Sequence, residues 1–304
     1  MIKKCIVVTV LLFLSYNVFV YVVSLLFFSK KQWQHNVIRA QEYIYSKQEY
    51  RIVIVGSSMA VRLDNDLLPN DCYNLSFSGQ SVQDGLEIIK RLQVKPLAVF
   101  IETNVITRPM NRPFIENLFS PVLYTLRRAF PALLEKHQPF GLAALAIQRT
   151  LPWLGSMVRW VGLGGMLPAA YTGKSVEILT EAQRKVRDNV IEQTVRENNI
   201  PPEKSVLSEQ KEILITYRDY LKKAGITVFL FEMPVAEQLR DSVNFKSIKE
   251  VTDEIFNPMQ YTYLPRPDCT GFSTTDGVHL DSDSSARFTR WLATEITKRV
   301  RAQP

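Results

Sequence analysis

Histidine and cysteine are rare in this chain, with three of each among 304 residues. They form no CxxC pair and no His/Cys cluster, so the sequence offers no ligand set for a metal, and no cofactor is expected. Cys5 lies in an apolar run, which leaves Cys72 and Cys269 as the one pair that an oxidising compartment would bridge; spacing leaves that pairing open. Also missing is a cluster of Lys and Arg with interleaved aromatics, so the formal charge of +7 does not read as a nucleic-acid surface. Position 60 is alanine, and the Gly-x-Ser-x-Gly elbow of α/β-hydrolases is therefore absent around Ser58.

What the chain has is ordinary globular composition, 46% hydrophobic and 22% charged, and length enough to bury a full core. Its first feature is CIVVTVLLFLSYNVFVYVVSLLFF, residues 5–28, uncharged and long enough to cross a bilayer core at ~1.5 Å rise per residue. Lys3, Lys4, Lys30 and Lys31 flank it, which turns part of the positive charge into a membrane-side bias. A signal peptide has an apolar region of only about 7–15 residues that ends in small residues. This run is longer and leaves through Phe27, Phe28, Ser29, Lys30 and Lys31. An uncleaved single-pass anchor is expected over residues 1–31. Basic residues on both sides leave orientation undecided by charge; the simplest arrangement keeps the short tail inside and exports the rest.

Residues 32–50 read as an amphipathic linker helix, and residues 51–304 as the domain proper. RIVIVG opens the domain as a buried strand, and CYNLSFSG, residues 72–79, is a second. SVQDGLEIIKRLQV follows as a helix, with Val82, Leu86, Ile89 and Leu92 at helical spacing. PLAVFIETNV, residues 96–105, is a third strand whose unbroken apolar run suits a parallel sheet covered on both faces. Strand and helix alternate, so the fold class is α/β. Residues 106–172 interrupt the pattern with prolines, glycines and apolar patches, while Arg149 and Arg159 argue against a second membrane span. Two readings stand for this apolar helical insertion: a segment folded over the core, or a cap that touches lipid, an acyl chain or a membrane-embedded partner. Helical stretches at about 174–198 and 204–224 come next, and GITVFLFEMPV, residues 225–235, resumes the sheet. TTDGVHLDSDSSARFTRWLATEI, residues 274–296, is a loop and a closing amphipathic helix bearing Phe288, Leu292 and Ile296.

The stretch IVIVGSSMAV, residues 52–61, ends a buried strand on a glycine and two serines. A strand-to-helix turn with a capping serine accounts for this. So does a nucleophile at the carboxyl end of the first strand, where α/β sheets place their sites. Company in chain order favours the second account: Ser58 after the first strand, Gly79 after the second, Asn104 after the third, and Asp276 with His279 ahead of the last helix. A serine hydroxyl is a poor nucleophile until an imidazole takes its proton. His279 is the only histidine beside an orienting carboxylate in a core loop, since His35 falls in the linker and His137 in the insertion. Asp276 would fix the tautomer of that ring. The N–H groups of Ser58 and Gly79 and the amide of Asn104 would meet the oxyanion. Ser57 reads as a structural partner of the turn.

This series resembles the SGNH (GDSL-like) hydrolase superfamily over about residues 51–105 and 225–296. The family's first block, Gly-Asp-Ser, is Gly56-Ser57-Ser58 here; the glycine of the second is Gly79; the third, Gly-x-Asn, is Glu102-Thr103-Asn104; and the last, Asp-x-x-His, is Asp276 and His279. Two positions depart from the pattern, Ser57 in place of Asp and Glu102 in place of Gly. The resemblance implies a flavodoxin-like three-layer sandwich with a central parallel sheet, a triad of Ser58, His279 and Asp276, and an oxyanion hole of Ser58, Gly79 and Asn104. A Gly-Ser-Ser block behind an amino-terminal anchor is similar to the D-alanine transfer proteins of teichoic acids and the alginate O-acetylation proteins. The expectation is an enzyme of the inner membrane with its domain in the periplasm. It would transfer or remove O-acyl groups, acetyl foremost, on a cell-envelope polysaccharide through an acyl-serine. Its partners would be that polysaccharide or its acyl donor, and a membrane-bound O-acyltransferase. The two departures keep open a different expectation, a non-catalytic SGNH-like scaffold that binds glycan or a partner acyltransferase.

Overall fold

The computed structural model describes residues 31–137, 181–266 and 268–301, together with Leu11, Leu12 and Ser15. The expected anchor, apart from those three positions and Lys31, and residues 138–172 of the expected insertion lie outside the described residues. No helix among the described residues is long and apolar enough to cross a membrane. Two compact units are distinguished, one of Glu42–Asn117 with Lys174–Pro304 and the other of Met1–Gln41 with Leu118–Gly173.

The first unit is built on a five-stranded sheet of β1 (Ile52–Val55), β2 (Cys72–Asn74), β3 (Ala98–Glu102), β4 (Thr227–Phe231) and β5 (Thr262–Tyr263). The order is β2-β1-β3-β4-β5, and every neighbouring pair runs parallel. That order is the flavodoxin-like variant of the doubly wound sheet, in which sites form beyond the carboxyl ends of the strands. The strands form where the sequence supplies β-branched and aromatic residues without polar interruption, and all of β1 and β3 is buried. Phe100 of β3 is in register with Phe229 of β4, and their rings stack at 4.7 Å.

The helix Val82–Arg91 begins where Ser81 caps it: the Ser81 hydroxyl accepts the Gln83 N–H at 3.0 Å, and the Asp84 carboxylate accepts the Ser81 N–H at 2.9 Å. Its Val82, Leu86 and Ile89 are fully or almost fully buried, the face that the helical spacing predicts. The closing helix Ser282–Arg301 buries Phe288, Leu292 and Ile296 completely, in one cluster with Met59, Ala60 and Leu280. This packing holds the loop before that helix against the turn after β1. The helices Glu181–Asn198 and Lys204–Lys223 match the two stretches expected between the insertion and β4. The helix Val243–Ile255 and β5 complete the unit. Residues 106–117 of the expected insertion belong to this unit too, with buried Phe114 edge-on to Phe77 at 5.1 Å. No disulfide joins Cys72 and Cys269, both of which are buried.

The helix Lys31–Ile44 occupies the expected linker. Beyond it the chain turns, and Tyr43, Tyr50 and Tyr73 gather with centroids 4.8 to 6.1 Å apart. In the second unit, the helix Pro121–Ala129 leaves Val122 68% and the adjoining Phe130 58% exposed.

Candidate active site

Three of the expected residues meet at the carboxyl edge of the sheet. Ser58 sits in the turn after β1, and its hydroxyl lies 2.8 Å from Nε2 of His279. Nδ1 of the same ring lies 2.6 Å from the Asp276 carboxylate. Because a carboxylate only accepts, Nδ1 carries the proton and Nε2 is left as the acceptor for the Ser58 hydroxyl. Ser58 and His279 are half-buried, so the group is held by the fold and still reached by solvent.

Local hydrogen bonds shape the loop that presents His279. The Asp276 carboxylate turns back on its own chain and accepts the N–H groups of Val278 at 3.1 Å and His279 at 2.8 Å, an Asx-type turn. Two neighbours brace it: the Thr194 hydroxyl donates to the Asp276 carbonyl at 3.0 Å, and the Ala236 N–H to the Gly277 carbonyl at 2.7 Å. Partial burial pushes the Asp276 carboxyl up. The bonds from the His279 ring and backbone, with that from Val278, outweigh burial and hold it at about 2. Asp276 is thus ionised at neutral pH and stabilises positive charge on the ring beside it.

The expected oxyanion donors differ from one another. The N–H groups of Ser58 and Gly79 have no hydrogen-bond partner among the described residues, and Gly79 is exposed. Gly79 has φ 69°, a left-handed conformation that costs glycine nothing. Asn104 is 5% exposed and already engaged: its amide N–H donates to the Met233 carbonyl at 2.9 Å, and its carbonyl accepts the Met233 N–H at 2.7 Å. It ties the end of β3 to the end of β4. A primary amide has two N–H donors, so a second remains for an incoming oxygen. Thr103, Asn104 and Met233 also border a cavity of about 30 Å³. That is room for about one water. Ser58, Gly79, Asp276 and His279 do not line that cavity.

Ser57 is turned the other way. It is fully buried, and its hydroxyl bonds the equally buried carboxylate of Glu102. Chain order alone did not reveal this pair, although both residues had stood out as the two departures from the family pattern. Of the remaining histidines, His35 lies exposed on the helix Lys31–Ile44, and the backbone of His137 ends the 3₁₀ turn Glu135–His137. Among the described residues, no group of three or more His, Cys, Asp or Glu side chains is placed to share a metal ion.

No protein-family model, curated protein or solved structure matches the chain.

Proposed function

We propose that this chain is a membrane-anchored serine acyltransferase or esterase of the SGNH type, acting on O-acyl groups of a cell-envelope polysaccharide, O-acetyl groups foremost. The observation that carries this reading is the unbroken contact from Ser58 through His279 to Asp276 at the carboxyl edge of a parallel sheet. Nε2 of His279 takes the Ser58 proton as the hydroxyl oxygen attacks the ester carbon. The carbonyl oxygen becomes an oxyanion and is met by the N–H groups of Ser58 and Gly79, which have no partner among the described residues. Collapse of this intermediate breaks the ester bond, and the imidazolium returns its proton to the departing oxygen. The acyl group is left on Ser58. A second hydroxyl then repeats the steps in reverse: from water the result is hydrolysis, and from a sugar it is transfer.

The SGNH assignment and the three-layer form of its sandwich are part of this proposal. They are supported by the strand order and by the four blocks standing in sequence at one sheet edge. The exchange between Ser57 and Glu102 supports them as well, because the family's first-block carboxylate is replaced here by one reaching the same turn from β3. The apolar run of residues 5–28 and exposed Val122 and Phe130 favour work at a membrane face, where an acyl donor or a membrane-bound O-acyltransferase would be met.

The test is intact mass of the full chain in detergent after exposure to p-nitrophenyl acetate, with and without an oligosaccharide acceptor. An acetyl group on the peptide containing Ser58 is expected, passing to the acceptor when one is present. A wild-type chain that neither turns over nor acquires the adduct contradicts the reading. The compartment is tested separately. A reporter fused after Pro304 is expected to report a periplasmic position, and cytoplasmic behaviour overturns the exported arrangement.

A further inference from the structure

We infer that Glu102 is the positioning residue of the nucleophile turn, holding Ser58 in line with His279 by gripping the turn from the adjacent strand. The inference rests on the proposed acyl-serine chemistry. Glu102 ends β3, and its side chain reaches across to the turn after β1. One carboxylate oxygen accepts the Ser57 N–H at 2.7 Å and the Ala60 N–H at 3.3 Å, and both oxygens lie 3.0 Å from the Ser57 hydroxyl. That hydroxyl in turn accepts the Met59 N–H at 3.2 Å. The residues on either side of Ser58, and the one after, are thus all bonded into one buried carboxylate–hydroxyl unit, while Ser58 itself is left facing His279.

Gly56 completes the arrangement. A Cβ there would lie 2.7 Å from the same Glu102 oxygen and 2.6 Å from the Cβ of Ala60, so the carboxylate occupies space that any other residue would fill. Burial pushes the Glu102 carboxyl up, against the opposing pull of its bonds from Ser57 and Ala60 and, least of all, the charge of Arg108. An amide of the same shape fits the same partners: its oxygen accepts the two N–H groups, and its NH₂ donates to the Ser57 hydroxyl. A methyl side chain takes away the acceptor of the Ser57 N–H, the Ala60 N–H and the Ser57 O–H together, and the Ser57 hydroxyl keeps only the Met59 N–H.

The experiment compares wild type with Glu102→Gln, Glu102→Ala and the exchange variant Ser57→Asp/Glu102→Gly, all as full chains. It reads kcat and KM for p-nitrophenyl acetate and amide hydrogen exchange of the peptide covering 56–62. For Glu102→Ala a displacement of the nucleophile is expected to lower kcat by about 10²-fold while KM stays within about threefold, with faster exchange across the turn. Glu102→Gln is expected to keep kcat within about tenfold of wild type and to keep the turn protected. The exchange variant is expected to recover part of the kcat that Glu102→Ala loses, because it returns a carboxylate to the turn itself. Wild-type kcat in folded Glu102→Ala, or equal losses of kcat and protection in Glu102→Gln and Glu102→Ala, would overturn the inference. If wild type has no turnover, the acyl-serine reading fails, and the exchange data alone still decide whether Glu102 grips the turn.

Discussion

Alanine at Ser58 or at His279 is expected to lower kcat for p-nitrophenyl acetate by roughly 10⁴- to 10⁶-fold, and the double variant is expected to be no worse than either single one, because members of such a unit fail together. The reason lies in the 2.8 Å contact between them: without the ring the hydroxyl keeps its proton, and without the hydroxyl the ring has nothing to activate. Asp276→Asn leaves the shape intact but gives Nδ1 an amide as its neighbour. A loss of roughly 10⁴-fold is expected from the disturbed tautomer. Ser57→Ala is expected to retain the acetyl adduct, since its hydroxyl faces Glu102 and not His279. A Ser58→Ala chain that turns over ester at the wild-type rate would remove the nucleophile from the proposal.

Acid behaviour distinguishes Asp276 further. Its folded value, about 2, lies below the ordinary carboxylate range, so its contribution to stability is complete above that range and is lost as pH falls toward 2. In acid denaturation, the stability gap between wild type and Asp276→Asn is expected to be constant from neutral pH down to the ordinary carboxylate range and to close below it. A gap that closes between pH 5 and 7 would assign the acid-sensitive bond to another group.

Much of the sheet was legible because its strands carry their own signal. The runs around β1, β3 and β4 are continuous and apolar, which parallel strands buried on both faces require. The two residues of β5 carry no such pattern and pair only because β4 offers an open edge. The helix Val243–Ile255 was equally silent, since it buries only Ile248, Thr252 and Ile255 beneath a mostly polar surface. At the site, order along the chain pointed to Ser58, Asp276 and His279, and the Asp276–His279 spacing of three residues is itself a local turn. Contacts between distant positions were not legible. Glu102 and Ser57 stand 45 residues apart, and Asn104 and Met233 stand 129 apart. Each pair is made by strand register, which a single sequence does not specify residue by residue.

The double commitment of Asn104 leads to the second large effect. Asn104→Ala is expected to lower kcat by roughly 10²- to 10³-fold if its second amide N–H meets the oxyanion. It is also expected to lower stability by about 1–3 kcal/mol, because the N–H and carbonyl of Met233 lose the side chain that ties β4 to β3. Assays run well below the melting temperature of each variant separate these effects. A tie that only joins β3 to β4 moves the melting temperature and leaves the kcat of the folded chain unchanged, whereas a donor to the oxyanion moves both. In the first case Ser58 and Gly79 make up the oxyanion hole by themselves, through N–H groups that have no partner among the described residues. In the second, the side chain that closes the strand ends also completes the electrostatics of the transition state, so loosening the sheet at Met233 would slow the chemistry at Ser58.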